Sequence, residues 1–309
     1  MKQTVLETIE NLIGEFTPNP IPPLGSSVKL DDPFIHAFDV LRNVPQSKSH
    51  LTIDRAFRLY REERHYSLNI ATLLFYFLYY LNNYRDDQRV QWDFYSRLTL
   101  DVEQLLSNVR SFLDSTFKLA LLFSSEADEV PKRRRESFGR FAEWFKGQTV
   151  DFNAPLGFIS ELVPWGLTIR SVRDDYIHRG YEAEPYLDRD EVYFYPFWSD
   201  RKIRPMPDLF YREEPIRSSM LPLLRPIYLK KFVVYSAAPV IATELVMGRY
   251  LCDLFTSIYG PSPFDENNCP FKASPEIQAL YELIIQNKEC LERKIYEDTY
   301  FTRHNSATV

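Results

Sequence analysis

Between Trp92 and Phe123 the chain runs without a single glycine or proline, and its apolar residues recur at helical intervals. Phe94, Leu98, Val102, Leu105, Leu106, Val109, Phe112 and Leu113 fall along one side of a 3.6-residue repeat. A half-buried strand would alternate every second residue, and this segment does not. Most of the stability of such a helix comes from packing its apolar face, so other elements must lie along it. With only 9 glycines in 309 residues, the chain also has few positions for tight hairpin turns and no Gly-rich phosphate loop. The fold class expected is mainly α: a helical bundle with extra helices and a small β-hairpin insertion.

The same spacing predicts helices over 1–16, 33–45 and 52–83, with a proline-rich loop at 17–23 and a polar break near His50. Asp86 and Asp87 read as a cap before the long helix. After an acidic linker at 124–131, Lys132–Arg135 opens a helix ending near Gly147, and a loop with Asn153 and Pro155 follows. Pro164 suits the first turn of a helix reaching Ile177. Helices return over 222–259, kinked at Pro239, and over 274–298. Between them, 190–212 breaks the helical rhythm: 191–198 and 206–211 are aromatic, proline-marked and short, as in an edge hairpin. There is no internal repeat and no convincing linker, so 1–309 is expected to form one domain.

Composition narrows the function classes. A net charge of −6 argues against a generic, charge-driven coat on nucleic acid, while leaving room for a local basic patch. Cys252, Cys269 and Cys290 are too few and too scattered for a disulfide framework or a zinc site, and fit reduced thiols in a cytoplasmic protein. The opening MKQTVLETIENLIGEF is acidic and amphipathic, unlike a signal peptide. The most apolar run, 71–81, is too short to span a bilayer, so no membrane is expected. His36, His50, His65 and His304 lack metal-ligand spacing, and neither G-x-S-x-G nor a Walker loop occurs. No metal and no cofactor are expected.

One stretch concentrates groups able to do chemistry: residues 169–180, IRSVRDDYIHRG. On a helix, Trp165, Ile169, Val172 and Tyr176 make a buried stripe with Arg173 at its margin. Arg170, Asp174 and His178 follow one another at i, i+4 spacing on the other face. Asp174 is placed to hold the His178 imidazole, the C-terminal end of the helix dipole favours its protonated form, and Gly180 suits a left-handed cap. Arg173 projects about 140° away from His178, so the two meet one phosphate only if the helix end unwinds or a second copy faces the first. A solvated helix face with a favourable dipole explains the same residues without any chemistry.

An arginine, a polar residue, three more residues and a histidine, late in a helix of an all-helical protein, resemble the motif of the HEPN superfamily. Here the match is Arg173, Asp174 and His178, within a core of about 67–180. The resemblance implies a helical bundle that dimerises through the motif helix. It implies either a metal-independent endoribonuclease or a non-catalytic module that binds RNA, a nucleotide or a protein partner or inhibitor. In the enzyme, His178 would be the general acid or base on a ribose 2′-hydroxyl or the leaving oxygen. Arg173 would clamp the phosphate, and Asp174 would orient the histidine.

Charge supplies a further candidate surface. From Arg201 to Lys231 eight basic residues stand against three acidic ones, with Phe210, Tyr211 and Tyr228 interleaved. Such a segment could bind phosphates and stack bases, or be a solvated surface over core aromatics. Arg170, Arg179, Arg201, Lys202, Arg204 and Tyr211 are the candidate RNA contacts.

Overall fold

A computed structural model describes residues 37–38, 40–41, 50–84, 86–179, 182–188, 191–197 and 227–260. The expected helices at 1–16 and 274–298, the loop at 17–23 and the strand at 206–211 lie outside the described residues. Of the expected helix at 33–45, residues 37, 38, 40 and 41 are described and are helical.

The protein is mainly α. Two long helices, α1 (His50–Asn83) and α2 (Gln88–Phe123), are joined by a four-residue turn and pack against each other as a hairpin. Asp87 is the N-cap of α2, its carboxylate accepting the Arg89 N–H at 2.8 Å. The residues of the α2 stripe, from Phe94 to Leu113, are all buried. Each contributes on the order of 1.5–3 kcal/mol by leaving water.

Shorter helices close over α2: α3 (Phe138–Phe145), α4 (Leu156–Glu161) and α5 (Val163–Arg179). An aromatic cluster ties α2 to α3 and to the loop beyond it. The Phe141 ring stacks on Phe117 at 4.8 Å and on Phe145 at 5.4 Å, and Phe145 in turn stacks on Phe152 at 5.8 Å. Helix α3 starts later than expected. Lys132–Arg134 form a 3-10 turn instead, and Ser137 caps α3 by accepting the Arg140 N–H. The loop expected after Asn153 contains α4.

The β element is present but begins upstream of the expected place. Strand β1 (Glu182–Asp188) pairs antiparallel with β2 (Glu191–Phe197), and β2 pairs with the two-residue β3 (Ile227–Tyr228). Segment 182–188, EAEPYLD, is acidic and holds Pro185, so propensity disfavours it as a strand. It forms one because Pro185 sits on the edge strand of the order β1-β2-β3, where a missing N–H is tolerated. Thr99 of α2 pins β1 down: its hydroxyl accepts the Ala183 N–H at 2.8 Å and faces the Ala183 carbonyl at 3.4 Å.

Helix α6 (Leu229–Tyr259) begins after β3, not at 222, and contains Pro239. It is the one described helix long and apolar enough to cross a bilayer, yet 82% of its apolar window is buried within the protein. That burial makes it a core helix here. Pro239 has no N–H for the Tyr235 carbonyl four residues earlier. The indole of Trp165 supplies the missing donor, Nε1–H reaching the Tyr235 oxygen at 2.9 Å. Helix α5 is thereby registered against α6 at a defect in α6.

Asp101 of α2 is buried, with one carboxylate oxygen 3.4 Å from Arg97 Nη2 and the other lacking a hydrogen bond among the described residues. Burial pushes its carboxyl up from the ordinary range, against the smaller lowering effect of Arg97. The folded protein therefore binds this proton more readily than the unfolded chain does. The residue's contribution to stability is full below the ordinary carboxylate range and is lost as pH rises through the raised folded value. Asp101→Asn should accordingly be more stable than wild type in urea unfolding at neutral pH. The difference should shrink as pH falls through the raised folded value, where the aspartate of wild type gains its proton.

Candidate functional site

Helix α5 extends a little beyond both expected ends, with Pro164 at its second position. The expected stripe is in place: Trp165, Ile169 and Tyr176 are buried and Val172 packs partly buried against the core. The first half of the helix is buried all round, from Trp165 to Ile169, and only its second half leaves motif residues partly or fully exposed.

Arg173 and His178 do not converge. The Arg173 side chain is only 15% exposed, and its Nη1 donates to Asp174 Oδ1 at 2.7 Å. Its Nε is buried and has no hydrogen-bond partner among the described residues. His178 is exposed, and no described residue hydrogen-bonds or ion-pairs with it. Their separation follows from five residues of helical rotation, as the spacing requires.

Asp174 does not serve His178 in this structure. One oxygen takes the Arg173 bond, and the other lies 3.8 Å from Arg170 Nε. The physical reason is competition: two guanidinium groups on the same and preceding turns outbid an imidazole one turn further on. Within a single chain the imidazole thus lacks the orienting carboxylate expected for it.

Arg170 bridges α5 to α3. Its Nη1 lies 3.6 Å from Glu143 Oε1 and 3.5 Å from the Gly139 carbonyl, and its side chain is 41% exposed. These are long contacts for a guanidinium, and at this exposure each ion pair is worth about 1 kcal/mol or less. Of Arg170 and Arg173, Arg170 is the more open to an incoming anion.

The remaining candidates divide. The side chain of Arg179, all of Gly180, and Arg201, Lys202, Arg204 and Tyr211 lie outside the described residues. At the end of the basic stretch, Lys230 pairs with Glu191 at 3.0 Å, and Lys231 sits 4.6 Å over the Tyr228 ring. Tyr228 also packs on Tyr193 at 4.6 Å, so this aromatic is engaged inside the fold rather than offered to a base. In the Lys132–Arg135 cluster, Arg135 is bound to the Val130 carbonyl and to Asp128, while the others are exposed. Among the described residues no group of three His, Cys, Asp or Glu side chains is placed to hold a metal ion.

Arg110 of α2 and Arg140 of α3 join the site without any signal in the local sequence. Both line the same cleft as Arg170, where α5 faces α2 and α3. No local spacing announces such a cluster, because each arginine comes from a different helix. The chain matches no protein-family model, no curated protein and no solved structure.

Proposed function

We propose that this protein is a non-catalytic, HEPN-like helical module that binds single-stranded RNA through the outer face of α5. The observation carrying this reading is the division of the motif residues between two faces. The arginine that a catalytic pair needs beside His178 is turned inward and bonded to Asp174, whereas Arg170 and His178 stand on the open side. Arg170 and His178 are eight residues apart, or about 12 Å along the helix, so they can meet successive groups of an extended strand. A net charge of −6 keeps such binding local to one cationic face.

Fluorescence anisotropy of a labelled single-stranded RNA tests this reading. Binding should weaken with salt along a shallow log–log slope, near −2 for about three phosphate contacts at roughly −0.7 each. Arg170→Ala should weaken binding about tenfold and flatten the slope by about 0.7. Arg89→Ala, at the far end of α2, should change neither. No binding at 50 mM salt, or equal binding by all three proteins, would remove the proposal.

A further inference from the structure

Beside the motif helix lies a cleft of about 140 Å³, between the first turn of α3, the middle of α5 and the facing side of α2. Arg110, Arg140 and Arg170 line it, together with Ser137, Gly139 and Gly166. Drug-sized and cofactor ligands occupy about 300–1,000 Å³, so this space suits one small group and not a whole nucleotide. Three guanidinium groups from three helices around so small a space select an anion.

Four carboxylates border these arginines and offset part of their charge. Asp114 accepts the Phe138 N–H at 2.7 Å, Glu136 pairs with Arg140, and Glu143 pairs with Lys146 at 2.7 Å. Asp174 is bonded to Arg173. Arg110 forms no hydrogen bond or ion pair with any described residue, and the Arg170 contacts are long. Arg140 is thus paired and Arg170 loosely held, while Arg110, which feels the charge of Asp114 but bonds to no described residue, is left able to take an added anion.

Backbone geometry points the same way. In the first turn of α3 the Phe138 N–H is taken by Asp114, and the Arg140 N–H by Ser137. The Gly139 N–H between them has no acceptor among the described residues, and Gly139 lines the cleft. A methyl group at Gly139 would stand 3.3 Å from Arg170 Nη1, so alanine there would make the guanidinium shift slightly away from the turn. This free N–H and the positive end of the helix dipole add to the arginines' attraction for an anion.

We infer that this cleft binds a phosphate monoester dianion, either the 5′-phosphate of an RNA strand or that of a free nucleotide. A monoester ends in three terminal oxygens and carries close to two charges at pH 7, with a second pKa of about 6. It can enter from one side and meet all three arginines. A backbone diester, with one charge and a substituent on either side, makes poorer use of a closed end. The 5′-end reading deepens the RNA-binding proposal and rests on it, whereas the free-nucleotide reading does not.

Isothermal titration calorimetry on the full chain separates these cases. The ligands are a 5′-phosphorylated ten-nucleotide RNA, its 5′-hydroxyl twin, adenosine 5′-monophosphate and adenosine. The phosphorylated RNA should bind at least tenfold tighter than its twin. That preference should disappear in Arg110→Ala and fall in Gly139→Ala, a variant whose helix keeps or gains stability because alanine is the better helix former. Adenosine 5′-monophosphate binding that Arg110→Ala abolishes, with neither RNA bound, would support the cleft while ending the RNA proposal. Equal binding of the two RNAs would overturn the cleft and leave RNA binding standing. So would a preference that survives in both variants. Failure of all four ligands to bind would overturn both.

Discussion

Trp165→Ala is expected to destabilise the protein by about 4 kcal/mol and Trp165→Phe by about 2 kcal/mol, measured by urea unfolding. The alanine variant loses a fully buried indole from the interface between α5 and the core. The phenylalanine variant keeps most of the apolar volume and isolates a different loss. It removes the Nε1–H that reaches the Tyr235 carbonyl, leaving that buried oxygen without the donor that Pro239 already denies it. Pro239→Ala gives α6 an N–H for Tyr235, so Trp165→Phe should cost about 1 kcal/mol less in that background than in wild type. Strict additivity of the two substitutions would mean that the indole and the proline are not coupled.

Gly166→Ala should cost about 3 kcal/mol, the upper end for inserting one methyl into a packed core. A Cβ at this position would lie 2.3 Å from Phe138 Cε1 and 3.2 Å from Leu113 Cδ1. Phe138 packs among Phe117 and Phe141, and Leu113 is on the buried stripe of α2; both also line the arginine cleft, so relief of the clash would push them into it. The better helix propensity of alanine returns at most about 1 kcal/mol, too little to offset the clash. Phe138→Leu in the same chain should recover part of the loss, which calorimetric melting would show as a partial return of Tm. Unchanged Tm in Gly166→Ala would mean that α5 and α3 are not packed as closely as described. Because Phe138 opens α3, the same substitution should also disturb the arginine cleft beside it.

Much of the fold was legible because packed helices write their buried face into the chain. The α2 stripe, the Asp87 cap and the Trp165–Tyr176 stripe of α5 all follow from local spacing. The hairpin was only half legible. Glu191–Phe197 has the aromatic composition of a strand, but its partner Glu182–Asp188 is acidic and holds a proline, and tertiary contact with Thr99 overrides that propensity. The candidate site divides in the same manner. Helical rotation already places Arg173 and His178 on different sides, and the structure keeps them there. Asp174's choice of Arg173 and Arg170 over His178 depends on side-chain competition that spacing alone leaves open. The cleft of Arg110, Arg140 and Arg170 was illegible, because three helices distant in sequence bring one residue each. So was the Trp165–Tyr235 bond, made across 70 residues to repair the gap left by a proline.

If α5 binds RNA without cutting it, as the separate faces of the motif arginine and histidine imply, then RNA should survive the complex intact. Labelled RNA is incubated in EDTA with enough protein to hold it bound by anisotropy, and the strands are then resolved on a denaturing gel. Full-length RNA should be recovered equally from wild type, His178→Ala and Arg173→Ala. Fragments ending in 2′,3′-cyclic phosphate in wild type, lost in both variants, would contradict binding without cleavage. They would show that a second copy or a rearranged helix end brings the two groups to one phosphate.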